Sequence, residues 1–285
     1  MLAYLSSFRP KAWPALPENP GEGDTVLHEA FKHVDAAEFN EASAKFDQAV
    51  QLGCRELPLA LNYTGTFAFI RGDPDAAIAD FNRSLDLNPK QAQVWAKRAS
   101  VQMEKGTTFN KKSSGTNVGD RDAAMADFAK AIEADPQDPD VYYHRGQVRF
   151  LMGDFSDAAA DYQKSADLDK KFVYSQVQLG VAQYKLGQVK DSLVTFRKCI
   201  KNFKNSAEVF NYYGEILLDQ GNFQEAEQKF ETAVELEKSA ASNGAKVRNV
   251  MPLVNRAVLS LQWKKDAKEA EKCLREALKR IMLYF

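Results

Sequence analysis

The sequence predicts an all-α chain, an α-solenoid in which about seven helical hairpins stack into a right-handed superhelix. Three observations carry this. Glycines recur every 34 residues, at Gly146, Gly180 and Gly214, inside the related runs Tyr142-Tyr143-His144-Arg145-Gly146-Gln147, Gln176-Val177-Gln178-Leu179-Gly180-Val181 and Phe210-Asn211-Tyr212-Tyr213-Gly214-Glu215. After each glycine comes a small residue, three spacers, a large residue, two spacers and another small residue: Ala158/Tyr162/Ser165, Ser192/Phe196/Cys199 and Ala226/Phe230/Ala233. Turn residues stand between the two patterns, at Gly153-Asp154, Gly187 and Gly221-Asn222.

The same register extends through the chain. Each repeat is read as helix A, with a small residue near its middle, followed by an antiparallel helix B. The first repeat pairs Ala30 with Ala42/Phe46/Ala49, and the second pairs Gly65 with Ala77/Phe81/Ser84 across the turn Gly72-Asp73-Pro74. The third pairs Ala99 with Ala124/Phe128/Ala131, and the seventh pairs Ala257 with Ala270/Leu274/Ala277. A small residue in A admits helix B closely, while the large residue of B fills the space toward the neighbouring repeat. Asn88-Pro89 and Asp135-Pro136 close B helices. A single hairpin cannot bury its apolar face, so the core exists only through stacking. This is the pattern of the tetratricopeptide repeat. Residues 1–23 read as a linker or extended arm, Pro- and Gly-rich from Arg9, and 24–285 as the array. A Gly/Ser/Thr/Lys-rich insertion at 106–120 reads as a flexible loop, and a shorter one lies between Ser239 and Val250.

Composition narrows the function. No stretch approaches the roughly 18 apolar residues of a spanning helix, so this chain is not expected to insert into a membrane. A net charge of −1 argues against nucleic acid, which needs a basic surface. Three scattered cysteines fit a reducing compartment. The start Met1-Leu2-Ala3-Tyr4-Leu5 is too short for a signal peptide. No catalytic set, metal site or cofactor motif is expected. His28 and His33 are five apart, not the four that aligns two ligands. Gly115 and Gly119 lack the strand and the Lys-Ser/Thr of a phosphate loop. Asp135, Asp138 and Asp140 bracket two prolines at a repeat junction and read as turn and helix-start residues. Cys199 and Cys273 occupy or adjoin small packing positions and read as buried thiols.

What remains is a surface. With A helices lining a concave groove, positions 2, 5, 9, 12 and 13 of each repeat are expected to face it. They include Tyr143, Gln147 and Phe150 in the fourth repeat, and Tyr174, Val177, Val181, Tyr184 and Lys185 in the fifth. The sixth supplies Glu208, Asn211, Glu215, Leu218 and Asp219, and the seventh Asn255. Apolar and aromatic groups beside three carboxylates suit a peptide with one apolar and one positive face.

The run Val141–Gln147, the stretch Leu61–Phe69 and Leu261-Gln262-Trp263-Lys264 resemble the corresponding segments of the seventy-kilodalton preprotein import receptors of the translocase of the outer mitochondrial membrane, most of all the fungal members. Met1–Pro10 resembles the linker between that family's two repeat groups. The resemblance implies a receptor at the cytosolic face of the mitochondrial outer membrane, binding presequences or internal signal-like segments of precursor proteins and working with translocase subunits. It covers the family's latter part, without its membrane anchor and without its clamp for cytosolic chaperones. No repeat pairs a lysine at position 5 with an asparagine at position 9; the residues there are Asn62/Thr66 and Tyr143/Gln147, for example. Carried over by position, Glu208 matches an acidic residue turned toward bound signals, and Tyr143 and Gln147 match groove-lining positions. The chain is expected to be a fragment ending inside its seventh repeat. A chaperone-tail adaptor and a regulatory array cut from an enzyme are the alternatives.

Overall fold

The computed structural model describes residues 13–109, 118–242 and 249–282. It divides into two compact units, 1–152 and 153–285. The first holds α1 (Glu22–Asp35), α2 (Phe39–Leu52), α3 (Leu57–Ile70), α4 (Pro74–Leu87), α5 (Ala92–Phe109), α6 (Val118–Ala134) and α7 (Pro139–Leu151). The second holds α8 (Phe155–Leu168), α9 (Val173–Lys185), α10 (Val189–Asn202), α11 (Ala207–Asp219), α12 (Phe223–Ser242), α13 (Met251–Leu259) and α14 (Ala267–Met282). The described residues contain no strand. The odd-numbered helices are the A helices.

Local chemistry sets the helix ends. Asp73 caps α4 by accepting from Ala76 N at 3.0 Å, with Pro74 in the first turn. Asp138 accepts from Asp140 N at 2.9 Å and Asp135 from Gln137 N at 2.9 Å, the turn and cap roles read from the sequence. Helix α1 starts at Glu22, inside the predicted arm, because the Asp24 carboxylate reaches back to Gly21 N at 3.0 Å. Residues 13–21 are non-helical. Residues 1–12 lie outside the described residues.

The repeat signature has a direct steric meaning. A Cβ placed on Gly65, Gly180 or Gly214 would come within 2.8, 2.8 and 2.5 Å of the rings of Phe81, Phe196 and Phe230. The ring of B therefore lies directly against the backbone of its own A helix. It also reaches forward: Phe46 stacks on Tyr63 at 4.8 Å and Phe196 on Tyr213 at 5.5 Å, each in the next A helix. Apolar clusters accordingly run from one hairpin into the next within each unit. Helix α3 is apolar almost all round and is buried from Ala60 to Ala68.

Three irregularities differ from the sequence reading or refine it. Helix α5 runs on to Phe109 and α6 begins at Val118, so both ends of the predicted 106–120 loop are helical; 110–117 lie outside the described residues. Helix α12 continues to Ser242, which takes up part of the second insertion; 243–248 lie outside the described residues. In the seventh repeat Leu274 does not fill the ring position and is 42% exposed. Helix α13 ends at Leu259 and passes through a π-helical turn at Ser260–Lys264. Ala270 and Ala277 stay buried at their expected positions, and Cys273 rather than Leu274 meets Ala257 and Ala270. All three cysteines are free and buried, and burial pushes the thiols of Cys54 and Cys199 up to about 11.

Candidate peptide-binding faces of the A helices

Burial corrects part of the predicted surface. Position 5 is closed in six repeats: Leu27 is 4% exposed, Asn62 5%, Ala96 0%, Tyr143 8%, Val177 0% and Asn211 3%. Val177 belongs to the core of the second unit, packed with Phe196, Val209 and Tyr213, and cannot touch a ligand on an A-helix face. Within each unit, neighbouring A helices meet here: Asn62 accepts from Lys97 at 2.8 Å, and Asn211 accepts from Asn255 at 2.9 Å. Positions 2, 9, 12 and 13 remain open or partly open in most repeats, including Gln147, Phe150, Val181, Tyr184, Glu208, Glu215, Leu218 and Asp219.

In the second unit these positions form a hydrogen-bonded stripe across α9, α11 and α13. Tyr174 Oη donates to Glu208 at 3.4 Å, and Ser206 Oγ donates to the same carboxylate at 3.0 Å. Asn211 Nδ2 and Asn255 Nδ2 both donate to Glu215 Oε1 at 2.7 Å, and Asn255 also donates to Asn211 Oδ1 at 2.9 Å. Tyr184 Oη donates to Asp219 and accepts from Gln220 Nε2 at 2.7 Å. These carboxylates are held by neutral donors, so their negative charge is oriented but not cancelled. Burial raises the Glu215 carboxyl above its usual range, opposed by its two asparagine donors. Burial, then the charge of Glu208, pushes Tyr174 up to about 12. Lys185 is the single basic residue at the five predicted positions of α9, α11 and α13, against three acids.

The first unit offers a different surface. A cavity of about 280 Å³ opens between α3, α5 and α7, lined by Phe69, Ser100, Met103, Glu104, His144, Gln147, Val148 and Leu151. Gln147 accepts from His144 Nδ1 at 2.9 Å and donates to Tyr143 Oη at 3.1 Å. Nearby, Lys97 is fully buried, its Nζ donating to Asn62 Oδ1 at 2.8 Å and Thr66 Oγ1 at 2.9 Å and lying 5.3 Å from the Tyr63 ring centroid. Burial pulls the ammonium down to about 7. Burial also takes His144 down to about 3, opposed by Gln147 and reinforced by Lys97. The sequence reading missed Lys97. Its signal was the pair Asn62 and Thr66, one turn apart in an otherwise apolar helix, which needs a buried donor. Among the described residues no group of His, Cys, Asp and Glu could hold a metal ion, and no helix is long and apolar enough to cross a membrane.

Fold and faces together define an array of tetratricopeptide hairpins. Profiles of tetratricopeptide repeats match at 32–92, 119–153, 139–172, 174–206 and 207–240, and the chain is a tetratricopeptide-repeat chain. It is homologous to mitochondrial import receptor subunit TOM70: 25% identical to the Saccharomyces cerevisiae protein over 91% of this chain and 42% of that one. It is 26% identical to the Rattus norvegicus protein over 87% of this chain and 39% of that one. The chain thus spans less than half of these relatives, and the identities favour neither fungal nor mammalian members. Among solved structures, yeast Tom70 superposes with a TM-score of 0.74 at 24% identity, over 97% of this chain and 57% of that one. A tetratricopeptide repeat protein from Parabacteroides merdae gives 0.62 at 15% identity, over 91% and 94%. These two likenesses establish the fold.

Proposed function

We propose that the chain is the precursor-binding part of a mitochondrial import receptor, taking basic, amphipathic targeting segments onto its A-helix faces at the cytosolic side of the outer membrane, in company with translocase subunits. The observation that carries this is the stripe of α9 and α11. Glu208, Glu215 and Asp219 lie beside partly exposed Val181, Tyr184 and Leu218, and among the described residues no basic side chain is bonded to the three acids. Targeting segments are Arg-rich and acid-poor, the complement of that stripe. Homology to TOM70 over most of the chain supports the receptor class. The work is binding and not catalysis. The chaperone-tail reading is disfavoured by Lys97: it meets an asparagine of a neighbouring A helix, but at 0% exposure it cannot clamp a carboxylate from outside.

Fluorescence anisotropy with a labelled basic presequence at two salt concentrations tests the reading. Glu208→Lys is expected to weaken binding about fivefold at low salt, from roughly 1 kcal/mol of screened attraction, and less at high salt. Val181→Arg is expected to weaken basic and neutral peptides alike, with little salt dependence. Glu208→Lys behaving as wild type while Val194→Arg, on an exposed site of α10, abolishes binding would place the ligand on the wrong helices.

A further inference from the structure

The chain's own N-terminal arm lies along the first A helix on the positions assigned above to cargo. In the repeat register, positions 2, 9 and 13 of the first repeat are Asp24, Phe31 and Asp35. Trp13 stacks on Phe31 with ring centroids 4.3 Å apart and planes 10° apart, and approaches Tyr63 of the next A helix at 5.4 Å. Its indole Nε1–H donates to the Asp35 carboxylate at 3.2 Å. Farther along, Arg55 donates to Asn19 O at 2.7 Å, and Gly21 N donates to Asp24. An aromatic anchor sits on the apolar position and an N–H points at the acid, as a bound peptide would lie.

The arm is built to be extended, with Trp13 packed on the first apolar cluster and most residues after it exposed. Pro14, Pro17 and Pro20 fix φ and remove backbone donors, so the segment cannot become a further helix turn. An open cleft of about 100 Å³ lies between it and the chain, lined by Pro14, Leu16, Leu27, His28 and Phe31. Leu16 is itself 42% exposed.

We propose that Trp13–Pro20 is a tethered pseudo-ligand that occupies the peptide-facing positions of α1 and keeps the first repeat closed to other segments until it is displaced. The idea that an A-helix face receives peptide rests on the function proposed above; the claim that this arm is an exchangeable occupant does not. The slot takes an extended, proline-containing segment with an indole. A tether gives the arm an effective concentration in the millimolar range, so a free copy competes poorly against the intact chain.

The test is a labelled peptide copying residues 12–21, titrated against the full chain and against full-length Trp13→Ala. Trp13→Ala is expected to bind the peptide at least tenfold more tightly than wild type, and adding Asp35→Ala is expected to remove much of that gain. No binding to a folded Trp13→Ala chain, or equal binding to both chains, overturns the proposal and makes the arm a structural cap. Should Trp13→Ala lose its helical circular dichroism, Leu16→Ser, which loosens the arm but leaves the slot intact, takes its place with the same expected order. Presequence binding to the wild-type chain is read separately, so failure of the cargo reading and failure of the arm proposal are distinguishable.

Discussion

Replacing Lys97 by methionine should remove one rise of the chain's stability with pH over one defined window. In the unfolded chain this lysine holds its proton up to 10.5; in the folded chain burial lowers the value to about 7. Between those values the unfolded state binds the extra proton, so stability rises with pH, and below pH 7 the whole penalty is present. A displacement of that size corresponds to about 5 kcal/mol across the window. Methionine has similar length and no charge, but it leaves Asn62 Oδ1 and Thr66 Oγ1 without their donor, costing about 1–3 kcal/mol for each buried acceptor. Lys97→Met is therefore expected to match or exceed wild type near pH 6.5 and to fall below it near pH 10. Urea midpoints of both chains, compared at half-unit steps, read the difference. Thiols and phenols titrate in both chains and cancel in the comparison. Parallel profiles from pH 6.5 to 10 would show that the lysine keeps its proton in the fold and would refute the reasoning.

Two further expectations concern the repeat itself. Gly214→Ala sets a Cβ 2.5 Å from the Phe230 ring, and overpacking of about 1–3 kcal/mol should outweigh the roughly 1 kcal/mol gain in helix propensity; Gly65→Ala, at 2.8 Å, should lower the thermal midpoint less. Asp73→Ala removes the cap on Ala76 N and should cost about 1 kcal/mol, read by chemical denaturation, with no effect on peptide affinity.

The fold was legible because its signature is steric. Gly65, Gly180 and Gly214 sit where a ring lies on the backbone, and nothing larger than alanine suits that approach, so the spacing shows through divergent sequence. Gly72, Gly153, Gly187 and Gly221 adopt φ between 72° and 86°, which explains why the turns were visible too. The faces were less legible. Whether position 5 points outward depends on how closely successive A helices approach, a tertiary distance that no residue type reports; valine at 177 reads the same in a core and in a groove. Leu274 misled because the buried Ala270 and Ala277 leave two candidates between them, and the smaller Cys273 is the one that meets Ala257. Lys97 was hidden for the opposite reason: a lysine on a helix reads as solvated, and only its partners Asn62 and Thr66 could have revealed it.

Glu215 separates stability from recognition. Its carboxylate accepts from Asn211 and Asn255, and burial raises its pKa, so the charge is present in the folded chain at a cost. The unfolded side chain loses its proton first as pH rises through the normal glutamate range. Between that point and the raised folded value the native state holds more protons, and stability falls with pH. Glutamine keeps an oxygen at the same place for both asparagine donors and removes the charge. Glu215→Gln is therefore expected to raise the urea midpoint at pH 7, with the gain vanishing in acid. Binding should move the other way: a basic peptide loses one attraction on the stripe, about 1 kcal/mol or roughly fivefold in Kd, while a neutral analogue is unaffected. A residue that merely packs the A helices together would lower or raise both quantities in step. Opposite signs for stability and for basic-peptide affinity, measured on the same preparation, are what a carboxylate kept for its charge predicts; a Glu215→Gln chain that is more stable and binds the basic peptide unchanged would remove Glu215 from the site.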